Sequence, residues 1–346
     1  MIRGTMIRLG LAGLALILAA RLSALISAQE EGPTLAHERN AKLGRGVNII
    51  GYDPIWRDRS QARMKDEHFR LIKEAGFDHV RINLHPFRHM GPEPDYALSD
   101  EWCATLDWAV ERALASDLMV ILDLHEFGSM GQRPDENKPR LLAAWRQLAH
   151  RYKDAPDTVL FELLNEPSRE LTPEMWNDYL AELLAIVRES NPDRTVIIGP
   201  GRFNGIEALP LLALPEDDRN IIVTVHFYEP FRFTHQGAGW AGEDIRKLSG
   251  IEWTGAQEER DFIRGELARA QQWAEEHDRP ILLGEFGAYD KADMASRARW
   301  TACVARTAEE YGWSWSYWQF DSDFVVYDID GGKWVEPIRD ALVPAK

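Results

Sequence analysis

Two glutamates close apolar runs that read as buried strands. Thr-Val-Leu-Phe-Glu-Leu-Leu-Asn-Glu-Pro at 158–167 brings Glu166 to the end of one run, and Pro-Ile-Leu-Leu-Gly-Glu-Phe-Gly at 280–287 brings Glu285 to the end of another. Short apolar runs bounded by turn residues fit strands covered on both faces, as in a parallel sheet flanked by helices. A carboxylate fixed at the end of such a strand has a defined position. Two of them from different strands can flank one bond, which is what cleavage of a glycosidic bond requires. Arg81, His125, Asn165, His226, Tyr228 and Trp318 also fall at strand ends. Each alone has an ordinary reading, a helix N-terminal charge or a satisfied polar group. A common site explains all of them at once. Glu162, inside the same strand as Glu166, reads as a structural partner for a cation within the barrel or between layers. Asp123 is placed to orient His125, a role it holds on equal terms with a purely structural one.

The elements that must position these groups alternate. Strand patterns occur at 46–50, 79–84, 118–124, 158–164, 195–199, 221–226, 281–285 and 313–318. Helical spacing separates them, at 61–75 closed by Gly76, at 101–115, at 140–152, and from Thr172-Pro173, an N-cap followed by proline at the first helical position, to about Ser190. Eight strands alternating with helices predict an α/β fold, a single-domain (β/α)8 TIM barrel, whose active site lies at the C-terminal ends of the strands. The connection from Phe227 to Thr254 is the longest without a clear helix. Long connections in compact domains are usually functional. With Tyr228, His235, Trp240 and Trp253, it reads as part of a binding rim.

Composition narrows the partners. The 346 residues are 45% hydrophobic, enough for one large core, and the formal charge of −16 would repel a nucleic acid. A neutral substrate suits the chain better. Thirteen tryptophans could stack on sugar rings, or could simply fill the core. Arg3 and Arg8 precede an apolar stretch from Leu9 to Ala20, too short to span a bilayer. Residues 1–28 therefore read as a signal peptide, with an uncleaved anchor as the alternative, and 29–346 as the catalytic domain of a secreted or periplasmic monomer. Cys103 and Cys303 are expected to be buried, unpaired thiols on separate helices.

His85, His89, His125 and His226 raise the question of a metal, but none shows His-x-His ligand spacing on one strand. No phosphate-cradling glycine loop and no Gly-x-Ser-x-Gly elbow is present, which disfavours nucleotide chemistry and serine acyl transfer. Neither a metal nor an organic cofactor is expected.

Leu-Asn-Glu-Pro at 164–167 and Gly-Glu-Phe-Gly at 284–287 resemble the acid/base and nucleophile signatures of glycoside hydrolase family 5, the cellulase family of retaining (β/α)8 barrels. His-Val-Arg-Ile at 79–82, His-Phe-Tyr-Glu-Pro-Phe at 226–231, Phe-Thr-His-Gln-Gly-Ala at 233–238 and Trp-Ser-Tyr-Trp at 315–318 resemble bacterial endoglucanases, including members that accept glucan and mannan. The resemblance covers nearly all of 43–343. It implies Glu166 as acid/base, Glu285 as nucleophile, and Arg81, His125, Asn165, His226 and Tyr228 as supporting residues. It also implies His235, Trp240 and Trp318 as sugar-binding residues. His85 and His89 are expected in a loop lining the cleft. The chain departs from the family pattern in two places. Glu126 follows His125 where many relatives carry a second histidine, and Ile50-Gly51-Tyr52-Asp53 ends the first strand without an expected asparagine.

The activity so implied is endo-acting hydrolysis of β-1,4-glucan by double displacement. The alternative is a β-mannanase or a bifunctional glucanase/mannanase, for which His235 is the group expected to reach either orientation of the sugar 2-hydroxyl. A catalytically inactive polysaccharide-binding barrel is the reading from another class.

Overall fold

The computed structural model describes residues 34–345. The leader reading for 1–28 lies outside them. Parallel strands β1 (Arg45–Ile49), β2 (His79–Leu84), β3 (Met119–Leu124), β4 (Val159–Glu162), β5 (Val196–Ile198), β6 (Ile221–Phe227), β7 (Ile281–Phe286) and β8 (Ser314–Tyr317) hydrogen-bond in sequence order, and β8 pairs back to β1. The barrel predicted from the alternation is therefore closed, and from Leu35 onward the chain is one compact unit.

Strand parity explains the interior. One set of alternate residues, including Val80, Ile82, Val120, Leu122, Phe161, Val223 and Leu283, packs outward in the layer shared with the helices. The other set points into the barrel. Its floor is Met119, Ile121, Leu160, Ile197, Ile222 and Leu282, closed from beneath by Ala36 and Leu43 of helix α1 (Leu35–Leu43). Further along the same parity the inward residues turn polar, with Asn48, Arg81, Asn83, Asp123, Glu162 and Thr224 all buried. An apolar floor under a polar upper layer is what a barrel needs to hold charges at one mouth without flooding its core.

The crossover helices are α2 (Asp66–Glu74), α3 (Asp100–Ala115), α4 (Pro134–Arg151), α5 (Pro173–Ser190), α6 (Gln257–His277) and α7 (Met294–Glu310), followed by α8 (Glu336–Leu342). Their starts follow local chemistry. Ser99 Oγ accepts from Trp102 N, Thr172 Oγ1 from Met175 N, and Asp293 Oδ1 from Ser296 N. Helix α2 begins later than the spacing suggested, because residues 59–61 form a separate 3-10 turn. Helix α4 begins earlier than Arg140, at Pro134, with Pro139 still in its first turns. Between β5 and β6 there are only short helical turns, Gly201–Asn204 and Ile206–Leu211.

Cys103 is buried on α3, whereas Cys303 on α7 is half-buried rather than buried, and both are unpaired. Among the described residues no helix is long and apolar enough to cross a membrane.

Candidate active site

Arg81 organises the mouth of the barrel. It is fully buried, and each of its five N–H groups has an acceptor: Nε donates to Glu162 Oε2 at 2.7 Å, Nη1 to Asn48 Oδ1 at 2.7 Å and to Glu285 Oε1 at 2.8 Å, and Nη2 to Glu162 Oε1 at 2.8 Å and Asn165 Oδ1 at 2.7 Å. Glu162 is thus the structural partner expected of it, holding the guanidinium by a two-point fork. Asp123 does both things considered for it. Its Oδ2 lies 3.2 Å from Arg81 Nη2 and accepts from His125 Nδ1 at 2.6 Å. That bond fixes the His125 tautomer and leaves Nε2 facing Asn165 Nδ2 at 3.5 Å.

Glu285 reaches this network through a local irregularity. Val225 pairs with Leu283 but His226 pairs with Glu285, so Gly284 is an extra residue in β7. A one-residue bulge breaks the in/out alternation and re-aims the side chains beyond it. Strict parity from Leu282, which points inward, would turn Glu285 outward toward the helices. The bulge brings it inward instead. Glycine is required there, because a Cβ would stand 2.4 Å from Thr224 Oγ1 and 3.1 Å from His226 Nε2. Tyr228 Oη donates to Glu285 Oε2 at 2.9 Å, so each oxygen of Glu285 has a donor of its own.

Glu166 sits beyond β4 with a left-handed backbone, φ 46°. Its Oε1 lies 2.8 Å from His226 Nδ1, and the same nitrogen is 3.6 Å from Glu285 Oε2. One carboxylate oxygen from each glutamate and one imidazole nitrogen all lie within 4.8 Å of one another. Three such atoms are spaced to ligate a small cation. The imidazole nitrogen concerned, however, is engaged with Glu166.

The charges are unequal. Burial pushes the Glu166 carboxyl up to about 8, opposed by Arg81 and Arg169 and reinforced by Asp123 and Glu162. Burial also pushes Glu285 up, but only to about 7, because His226 and Arg81 oppose it more strongly than the charge of Glu166 adds to it. Geometry adds to this asymmetry, since Arg81 and Tyr228 both donate to Glu285 and favour its anion. Burial lowers the His125 and His226 imidazoles, and for His226 the charges of Glu285, Glu162 and Asp123 oppose that lowering.

Above these groups opens a groove of about 830 Å³. It is lined by His125, Asn165, Glu166, His226, Tyr228, His235, Trp240, Glu285 and Trp318, so nine of the sequence-predicted positions converge. Trp318 lies parallel to the His125 ring, centroids 5.4 Å apart and 7° between planes, as a flat floor. Arg81 acts from beneath without lining the groove.

Several expectations are corrected. His85 and His89 are not among the groove-lining residues. His85 packs edge-on against His125, and His89 stacks on Trp102 beneath the rim. Trp253, read as part of the rim, is buried in the core. Of the thirteen tryptophans only Trp240 and Trp318 line the groove, so most of the allotment is packing. His235 does line the groove as expected, stacked on Phe231 at 4.0 Å and edge-on to Tyr228. Glu126 turns away from the groove, where it accepts from Phe87 N at 2.7 Å and Ser129 Oγ at 3.2 Å and ties down the segment after β2.

Sequence reasoning missed Tyr52, Phe203 and Phe231. These are exposed aromatics that line the same groove as Trp240. Phe203 was discoverable, because it follows β5 and every loop after a barrel strand faces the mouth. Tyr52 was noted only for what it replaces.

Comparison with known proteins agrees with this geometry. The family described as Cellulase (glycosyl hydrolase family 5) matches residues 41–323. Endoglucanase H of Acetivibrio thermocellus is 29% identical over 312 residues, which cover 87% of this chain but 33% of that protein. The chain thus spans about a third of that relative's length. Among solved structures, Thermotoga maritima Cel5A in complex with cellobiose is 42% identical with a TM-score of 0.84, covering 89% of this chain and 100% of the other. The same protein in complex with mannotriose is 41% identical with a TM-score of 0.85, over 89% and 100% of the two chains.

Proposed function

The chain belongs to glycosyl hydrolase family 5, the cellulase family, and from that premise we propose that it is an endo-acting, retaining β-1,4-glucanase with Glu285 as nucleophile and Glu166 as acid/base. The observation that carries this reading is the unequal dressing of two carboxylates whose oxygens lie within 4.8 Å. Glu285 accepts from Arg81 and Tyr228, which stabilise its anion. Among the described residues no lysine or arginine pairs with Glu166, whose contact is His226 Nδ1, and burial favours its protonated form.

In the first step Glu285 attacks the anomeric carbon as the glycosidic C–O bond breaks, and Glu166 passes its proton to the leaving oxygen. The product is a glycosyl ester on Glu285 and a carboxylate on Glu166. In the second step Glu166 takes a proton from water, the water oxygen bonds to the anomeric carbon, and Glu285 leaves as the carboxylate. Both carboxyls return to their starting states. Asn165, its oxygen held by Arg81 and one N–H facing His125 Nε2 at 3.5 Å, has its other N–H to meet the sugar 2-hydroxyl as oxocarbenium character grows. Trp318 floors the ring, and Tyr52, Phe203, Phe231 and Trp240 offer further apolar faces along the groove.

The open groove supports internal cleavage, since a chain end need not be enclosed. The cellobiose and mannotriose complexes of the Thermotoga neighbour support a β-glucan substrate with β-mannan as a second one. The test is viscometry on barley β-glucan and carboxymethylcellulose beside a reducing-end assay, with glucomannan and mannan in parallel. An early fall in viscosity with few new reducing ends is expected. Monosaccharide released from the outset at constant viscosity would exclude the endo reading. Mannan hydrolysis with none on glucan would replace it by a mannanase, and no hydrolysis at all would favour a binding barrel.

A further inference from the structure

We infer that Asn204 is a positioning residue for the acid/base: its side-chain amide fixes the His226 tautomer whose Nδ1–H donates to Glu166. The inference rests on reading Glu166 as the acid/base and adds a residue from the turn after β5, a segment that supplies no group to the reaction itself. Asn204 is fully buried, and its Nδ2 lies 3.3 Å from His226 Nε2. An imidazole nitrogen that accepts an N–H carries no proton of its own, so the ring proton belongs on Nδ1, 2.8 Å from Glu166 Oε1.

The backbone that delivers Asn204 is unusual. Arg202, Phe203 and Asn204 are consecutive non-glycine residues in the left-handed region, with φ of 55°, 63° and 56°. Such residues are strained and persist only where their surroundings over-determine them. Here the surroundings are the active site. Phe203 N donates to the carbonyl of Pro167, the residue after Glu166, at 3.2 Å. Gly199, at the end of β5, makes room for the amide, since a Cβ there would stand 2.2 Å from Asn204 Oδ1. The strained turn is thus tied to the acid/base twice, through the Pro167 backbone and through the His226 ring.

The tautomer matters because the two forms act oppositely. With the proton on Nδ1, the ring donates to Glu166 and stabilises its carboxylate, the form that must take a proton from water in the second step. With the proton on Nε2, the bare Nδ1 would accept from a protonated Glu166 and stabilise the acid. Arg81 on β2, Asp123 on β3, Glu162 on β4, Arg169 after it and Glu285 on β7 also act on Glu166 or His226. All of these keep their places when Asn204 alone is changed, so a shift would trace to the amide.

The test uses the full chain labelled with ¹⁵N-histidine, the His226 signals being assigned by their loss in His226→Gln. Wild type should show the Nδ1–H tautomer. Two variants suit the positive φ. Asn204→Gly removes the amide without backbone strain, and Asn204→Asp keeps the shape while exchanging the donor for an acceptor, which should protonate Nε2. On β-glucan, Asn204→Gly should lower kcat about tenfold at unchanged KM, the scale of one lost charge-linked hydrogen bond. It should also move the alkaline limb of the pH profile upward, because the Glu166 anion has lost its donor. An Nε2–H tautomer in wild type, or an alkaline limb unmoved in both variants, would overturn the proposal. The resonance assignment does not depend on turnover, whereas failure of azide to rescue Glu166→Ala would sink the acid/base reading itself, so the two failures are distinguishable.

Discussion

Arg81 and Glu285 meet through one hydrogen bond, Nη1 to Oε1 at 2.8 Å, while the other four N–H groups of the guanidinium are held by Glu162, Asn48 and Asn165. The cation that favours the Glu285 anion is thereby locked in place before substrate arrives. Arg81→Ala would strand the buried Glu162 and should cost about 3–5 kcal/mol of stability, readable as a lower urea midpoint. Arg81→Lys should fold better yet remain severely impaired, because an ammonium has three donors for five acceptor positions. An active, fully stable Arg81→Ala would disprove this organisation of the site.

Glu285 is expected to carry the covalent intermediate. Glu285→Ala should abolish turnover of natural glycans, and a 2-deoxy-2-fluoro glycoside should add one sugar mass to the peptide containing Glu285 in the wild-type protein. Labelling of Glu166 instead would exchange the two roles.

For Glu166 the diagnostic is the leaving group. General acid catalysis contributes roughly 10²- to 10⁴-fold, and mostly where the leaving oxygen is a poor one. Glu166→Ala should lose that factor on β-glucan and much less in the glycosylation step of an activated aryl glycoside, with azide accelerating release from Glu285. Equal losses on both substrates, and no azide product, would refute the assignment.

The pH profile should be bell-shaped. As pH falls, Glu285, raised to about 7 by burial, gains a proton and can no longer attack; as pH rises, Glu166, raised to about 8 by burial, loses the proton it must donate. The limbs belong to the coupled pair. Tyr228→Phe removes a donor to the Glu285 anion, so the pKa of Glu285 rises and the acid limb moves to higher pH by about one unit. A limb that stays put, or moves down, would show that Tyr228 does not stabilise the anion.

Gly284→Ala probes the bulge. The added Cβ would lie 2.4 Å from Thr224 Oγ1 and 3.1 Å from His226 Nε2, at the base of the site rather than in the core. Displacing a reacting group by about 1 Å can cost on the order of 10²-fold. The variant should keep most of its melting temperature while kcat falls by about that factor. Wild-type kcat would show that the bulge is not needed to aim Glu285.

The eight strands, the barrel they form and the strand ends bearing His125, Asn165, Glu166, His226, Tyr228, Glu285 and Trp318 were legible in the sequence, whereas Arg81, expected at a strand end, lies in the middle of β2 and reaches the site only by its length. The reason is local: burial on both faces writes continuous apolar runs, and the residue that closes each run must lie at a barrel end. The pairing of Glu162 with a buried cation could be anticipated too, because an acid inside an apolar strand needs one.

What sequence did not determine depends on backbone geometry and on contacts between distant segments. Period-two counting turns Glu285 outward; only the register shift against β6, with Gly284 as the extra residue, turns it to the site. Asn204 lies in a turn whose left-handed run is accommodated by nearby Gly199 and tied to the distant Pro167 and His226, an interplay that no local pattern encodes, so its role was invisible. Trp240 and Trp253 sit in one connection with like chemistry, yet one is 57% and the other 2% exposed. The fold of the rim sorted them. Composition and spacing determined which groups could do chemistry and at which end of the barrel; tertiary packing decided which of them face the substrate and which carboxylate keeps its proton, because burial and charge proximity are properties of space and not of sequence distance.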